Sequence, residues 1–203
     1  MSKENIKTSG FSLAKKKELT GDDFYEIKQF EDFTIAVLCD GVGSAIEGAN
    51  AAKKVTHHLI NNFKNLPNAW SFEKAIKEFI TSINSILYSK SIQEYERAEY
   101  VTTLTVVVIK GNRLYGANVG DSRIYLLRED KLSQLSIDHN EEGMDNVLSN
   151  AIGIDKNVDI YYFENSIQKD DKILMCSDGL YNLMSSDTLK KHLINGAYHL
   201  VKK

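Results

Sequence analysis

Apolar and polar positions along this chain keep two rhythms, and the change from one to the other marks out its elements. Residues 21–27, Gly-Asp-Asp-Phe-Tyr-Glu-Ile, predict a strand opened by two adjacent acids, and the run Thr34-Ile35-Ala36-Val37-Leu38-Cys39-Asp40 predicts a second. A turn near Glu31-Asp32 joins them as a hairpin. Ser44-Ala45-Ile46-Glu47 has the form of a capping box opening a helix, on which Ala45, Ala49, Ala52, Val55, Leu59 and Phe63 recur at helical spacing. Asn65-Leu66-Pro67-Asn68 ends that helix. A second helix starts near Ser71 and carries Ile76, Phe79, Ile80, Ile83 and Leu87 on one face, to about Ile92.

The rhythm then shortens. Residues 88–100, rich in Glu, Tyr and Ser, read as a linking loop. A β-meander follows, with strands at Val101–Ile109, Arg113–Val119, Arg123–Arg128 and Lys131–Ser136 and tight turns between them. Residues 137–157 are polar, with a short helix expected around Met144–Ala151. Strands return at Val158–Phe163 and Lys172–Ser177, and a helix is expected over Ser186–Leu193. Two consecutive helices followed by a long antiparallel section make the class α+β.

Composition adds limits more than direction. The 203 residues are 42% hydrophobic and 26% charged, enough for one domain over 11–203 behind a polar leader at 1–10. A net charge of −3 gives no global basic surface for nucleic acid or an anionic membrane. No apolar run is long enough for a bilayer span, and the first residues lack the apolar centre of a secretion signal, so a cytoplasmic location is expected. Cys39 and Cys176 each end an apolar strand and read as small buried core residues. No Cys-x-x-Cys or Cys/His cluster points to zinc.

The chemistry lies in the acids. Asp40-Gly41 and Asp178-Gly179 each close an apolar strand, and Gly120-Asp121-Ser122 forms a third corner. With Asp22 and Asp23 they form a set of strand-end carboxylates free of soft ligands, the donor chemistry of Mg²⁺ or Mn²⁺. Clustered carboxylates would repel a phosphate dianion, whereas a pair of ions bridging a water could orient it for in-line attack on phosphorus. Successive strand side chains point to opposite faces, so Asp22 and Asp23 cannot both face one site directly.

Four blocks in order carry a family resemblance: Gly21-Asp22-Asp23-Phe24, Leu38-Cys39-Asp40-Gly41-Val42-Gly43, Thr102-Thr103-Leu104-Thr105 with Ala117-Asn118-Val119-Gly120-Asp121-Ser122-Arg123, and Cys176-Ser177-Asp178-Gly179-Leu180. Leu148-Ser149-Asn150-Ala151-Ile152-Gly153 is similar to a further segment between the last two. From about Asp22 to Leu183 the chain resembles the metal-dependent Ser/Thr protein phosphatases of the PPM, or protein phosphatase 2C, type. The resemblance implies two stacked antiparallel β-sheets flanked by antiparallel helix pairs, an α-β-β-α sandwich. It implies a protein-serine/threonine phosphatase that uses two Mn²⁺ or Mg²⁺ ions, with a third accessory position. Its substrates would be phosphorylated proteins and its counterpart a Ser/Thr kinase. Asp40 would bridge the metals, with the Gly41 carbonyl on one of them and Asp178 a further ligand. Asp22 falls at a metal-binding position, Asp23 at one acting through water, and Asp121 at the accessory metal with Asp178. Asp40 and Asp178 are thus the expected catalytic pair.

The departures are specific. The family's phosphate-clamping Arg has no counterpart, and Lys15, Lys16 and Lys17 stand in that region as candidate phosphate-binding residues. Asp22 is one methylene shorter than the family's Glu, and Val42 stands where some members carry a general-acid His. Ala197–Lys203 reads as the start of a helix, and the family's closing Asp-Asn block has no match before Lys203, so a sandwich short of its last strands is expected. These departures keep a second reading open, a pseudophosphatase that binds phosphoproteins without turnover. A third, the sporulation and stress-regulator branch of phosphatases, is disfavoured by Gly120-Asp121-Ser122-Arg123.

Overall fold

The computed structural model describes residues 6–13, 21–42 and 45–195. Lys15, Lys16, Lys17, Ser44 with its expected cap, and the expected helix start at Ala197–Lys203 lie outside the described residues. The chain begins with the hairpin β1 (Asp23–Gln29) and β2 (Thr34–Asp40), followed by helices α1 (Gly48–Lys64) and α2 (Phe72–Tyr95). The meander is β3 (Leu104–Lys110), β4 (Arg113–Val119), β5 (Arg123–Arg128) and β6 (Lys131–Gln134). A small hairpin, β7 (Asn140–Glu141) and β8 (Met144–Leu148), precedes β9 (Tyr161–Ser166), β10 (Lys172–Cys176), α3 (Asp178–Tyr181) and α4 (Ser186–Ile194).

The strands form a five-stranded sheet in the order β1-β2-β3-β4-β9 and a three-stranded sheet in the order β10-β5-β6, with antiparallel neighbours throughout. Alternation along β3 shows how one sheet serves two cores. Leu104, Val106 and Val108 point to α1 and α2 and join Leu59, Phe63, Ile76, Ile80 and Leu87 in the larger core. Val107 points the other way, to Leu114, Ile124 and the partly buried Phe163, Ile173 and Met175 of the inter-sheet core. Burying such side chains contributes about 1.5–3 kcal/mol each, which is why this face is fully committed. Gly116 is required here, since a Cβ would lie 2.3 Å from the ring of Phe163. α3 and α4 border the second sheet.

Several expectations need correction. Helix α2 continues to Tyr95, so residues 88–95 are not loop. Leu87 and Ser91 hold its last turns, with the Ser91 hydroxyl receiving the Glu99 and Tyr100 N–H groups. Met144–Leu148 is a strand, and no helix forms there. The helix expected to open at Ser44 begins at Gly48, which shifts its buried stripe to Ala51, Ala52, Val55, Leu59 and Phe63 and leaves Ala49 exposed. Glu47 makes no side-chain cap; it accepts hydrogen bonds from Asn50 and from the Tyr95 hydroxyl at 2.8 Å. The second helix starts where expected, with Ser71 as its cap accepting from the Lys74 N–H. Cys39 and Cys176 are free and buried in different sheets, with Cys39 receiving the Thr56 hydroxyl at 3.4 Å on the helix side. Among the described residues no helix is long and apolar enough to cross a membrane.

Candidate active site

Strand register assembles the acids. On β2, Ile35, Val37 and Cys39 point into the helix-side core, so Asp40 faces the space between the sheets at the strand end. Its direct partner on β1 is Asp23, which shares that face. Asp22 precedes the strand with its side chain exposed, and its backbone carbonyl receives the Gly41 N–H at 3.1 Å. Of the two adjacent acids, it is therefore Asp23 whose carboxyl meets Asp40.

The second sheet supplies the other two. Arg123 and Cys176 are the last pair of the β5·β10 ladder. Asp121 lies two residues before it on one strand and Asp178 two residues after it on the other, so both leave the same end of the ladder. Ser177 links the sheets, its hydroxyl donating to Asp23 Oδ2 at 3.0 Å.

Electrostatically the site is a concentration of one sign. Burial pushes the Asp40 carboxyl up to about 8, assisted first by Asp23 and then by Asp178 and Asp121. Every group acting most strongly on it is another acid. A hydrogen bond between the Asp23 and Asp40 carboxyls needs a proton held between them, the role an unbalanced carboxylate pair gives to any available cation. Asp121 is also raised, by burial and then by Asp178. Among the described residues, however, no three such side chains are grouped closely enough to form a complete metal cage. The arrangement is one tight pair with two acids farther out.

The backbone around Asp40 is held firmly. Its N–H donates to Thr103 Oγ1 at 3.0 Å, while its carbonyl accepts from the Thr103 N–H and the Thr102 hydroxyl, each at 2.8 Å. Thr103 Oγ1 also lies 2.7 Å from Ser122 Oγ, which ties the Asp40 corner to the Asp121 corner. Gly41 must be glycine for space, because a Cβ there would stand 2.5 Å from the Gly48 carbonyl carbon. That close approach brings the start of α1 against the end of β2.

His139 was not picked out by sequence reasoning, and Asn150 entered it only within the block Leu148–Gly153, with no role assigned. His139 Nδ1 accepts the Gly120 N–H at 3.1 Å, and its backbone N–H returns a bond to the Gly120 carbonyl at 3.1 Å. Burial lowers the His139 pKa, and because Nδ1 accepts the Gly120 N–H, the proton of the neutral ring belongs on Nε2. The Asn150 amide lies 2.9 Å from the same Nδ1 and donates to the Asp159 carbonyl at 2.7 Å. Gly120, at φ +96°, turns the corner that this histidine braces. The only local signal was the Asp138-His139 pair directly after a short strand.

Comparison with known proteins supplies the family. Residues 11–201 match the family model described as Protein phosphatase 2C. The chain is 30% identical over 181 residues to the serine/threonine phosphatase stp of Listeria monocytogenes serotype 4b, covering 78% of this chain and 71% of that one. The stp protein of Listeria innocua is 29% identical over the same length and coverage. A crystal structure of a bacterial serine phosphatase superposes with a TM-score of 0.73 at 27% identity, over 86% of this chain and 79% of the other. The serine/threonine phosphatase Stp1 of Staphylococcus aureus shares the fold with a TM-score of 0.76 at 24% identity, over 93% and 87%. With the family model matched over nearly its whole length and the strand-end acids of two sheets brought to one place, the chain belongs to the protein phosphatase 2C family.

Proposed function

We propose that this protein removes phosphate from phosphoserine and phosphothreonine in proteins by metal-dependent hydrolysis, opposing a Ser/Thr kinase. Membership of the family makes it a protein serine/threonine phosphatase; the metal site and the mechanism are the further step. The observation that carries them is the Asp40 carboxyl, buried and surrounded by acids. Such a group favours either a proton or a cation. Asp23, Asp40, Asp121 and Asp178, with the Gly41 carbonyl, would hold Mn²⁺ or Mg²⁺, hard ions suited to an all-oxygen set, while the exposed Asp22 stands outside the pair.

Divalent ions, when bound, would offset the repulsion of a phosphate dianion and lower the pKa of the attacking water. The chain itself supplies placement. Thr102 and Thr103 fix the Asp40 backbone, Ser177 orients Asp23 by its hydroxyl, and His139 braces the loop that bears Asp121. These bonds cost little further ordering at the moment of reaction, which is how preorganised groups aid catalysis.

The test is hydrolysis of p-nitrophenyl phosphate and of a phosphothreonine peptide with Mn²⁺, with Mg²⁺ and with chelator. Activity should require the ion and vanish in Asp40→Asn and Asp178→Asn. A phosphoprotein-binding module without turnover is favoured by one observation, the lack of three closely grouped acids among the described residues. Phosphopeptide binding without hydrolysis at saturating Mn²⁺ would select that reading.

A further inference from the structure

A chain of contacts runs from β6 to the acid site and ends on the backbone that carries the two outer acids, Asp121 and Asp178. Gln134 Nε2 donates to Asp138 Oδ1 at 2.8 Å, and Arg123 donates to Asp138 Oδ2 from Nε at 2.8 Å and from Nη2 at 2.7 Å. A further nitrogen, Arg123 Nη1, reaches the Tyr125 hydroxyl at 3.2 Å. With its edges held, the planar guanidinium sits over the Tyr181 ring, its Cζ 3.6 Å from the ring centroid. The Tyr181 hydroxyl then donates to the Asp121 carbonyl at 3.1 Å. Tyr181 closes the single turn of α3 that Asp178 opens.

We propose that Arg123, anchored by Asp138 and held over Tyr181, is a positioning residue that sets the spacing between Asp121 and Asp178. The reasoning rests on the metal-site reading above and extends it to residues that touch neither ion nor substrate. Asp121 and Asp178 leave neighbouring strands past the last pair of the ladder, where backbone hydrogen bonds no longer hold the strands together. Two like charges there repel, and only contacts beyond the sheet can keep them close. Tyr181 supplies that bridge, covalently three residues from Asp178 and hydrogen-bonded to the Asp121 backbone. Arg123 fixes the plane of the ring, a task for a flat, delocalised cation that lysine's point charge cannot perform. Because the links act in series, breaking either one frees the same pair of acids.

The test measures Mn²⁺ binding by titration calorimetry, with half-activating Mn²⁺ from p-nitrophenyl phosphate hydrolysis alongside. It compares the parent, Tyr181→Phe, Arg123→Lys and the double variant. Tyr181→Phe keeps the ring and removes only the hydroxyl, so it retains the fold. Partners one step removed from a metal typically cost 10–100-fold in affinity when changed. Each single variant should weaken the most loosely held ion by about tenfold, and raised Mn²⁺ should restore kcat. The double variant should be no worse than the worse single one. A merely structural role would lower the melting temperature and leave the Mn²⁺ dependence in place. A Tyr181→Phe isotherm that overlays the parent's, or losses that multiply in the double variant, would overturn the proposal. If Arg123→Lys does not fold, the Tyr181→Phe isotherm decides alone. A parent that binds no Mn²⁺ would instead overturn the metal reading and remove the clamp's purpose with it.

Discussion

Replacing Asp40 by Asn tests the central electrostatic argument without any assay of turnover. In the metal-free protein the Asp40 carboxyl is raised from 3.8 to about 8, so the fold favours its protonated form. The sign follows by linkage: the folded state binds the extra proton, so the associated stability is fully present below about pH 4 and is lost as pH rises through 8. At about 1.4 kcal/mol per pKa unit the ceiling for Asp40 is on the order of 5 kcal/mol. The substituted side chain would carry no charge, and its amide could donate to the Asp23 carboxylate in place of the shared proton. Urea unfolding in EDTA at a series of pH values from 4 to 9 therefore has a defined outcome. Parent and variant should be similar near pH 4, and the variant should pull ahead by a few kcal/mol by pH 9. Adding Mn²⁺ at pH 8 should stabilise the parent strongly and the variant little. Other titrating groups, His139 among them, are common to both proteins and cancel in the difference. Parallel curves across the whole range would refute the claim that unbalanced acids are packed at this corner.

Three further expectations use other contacts. Thr103→Val leaves the Asp40 N–H and the Ser122 hydroxyl without their shared partner, which should cost about 1–3 kcal/mol per stranded group in urea unfolding and weaken Mn²⁺ binding. Gly48→Ala places a Cβ 2.6 Å from the Val42 carbonyl oxygen. Backbone has to move on both sides, so a loss of about 1–3 kcal/mol or more is expected by thermal melting, with no compensating gain from helix propensity. Cys39 and Cys176 are buried and pushed up to about 12, so both thiols should react with a disulfide reagent only at the rate of unfolding, slowly in buffer and at once in denaturant.

The chain's own pattern settled the elements that have a strong rhythm and the residue types of the site. Arg113–Val119 and Arg123–Arg128 are bounded where turn residues and alternation placed them, and Ser71 caps α2 because its hydroxyl can reach the Lys74 N–H. Asp40, Asp121 and Asp178 stood out in the sequence as a set, because three strand-end corners each carry an acid beside a glycine, although any one such pair alone reads as an ordinary turn. Local pattern failed where distant packing decides. Residues 88–95 look polar, yet they stay helical because Ser91 is buried and its hydroxyl takes up N–H groups from the following turn. Met144–Leu148 is a strand because Asn140–Glu141 offers it a partner, not because its own composition demands one. Alternation said that Asp22 and Asp23 could not both face the site, but only the pairing of Asp23 with Asp40 across β1 and β2 chose between them. The support of the site belongs wholly to tertiary structure. Thr103, Ser122, His139 and Tyr181 come from four separate stretches of chain, and nothing in any one stretch states that the others will lie within hydrogen-bond reach. Sequence carries the donors and the carboxylates; their meeting is a property of two sheets held face to face by a core that neither sheet could bury alone.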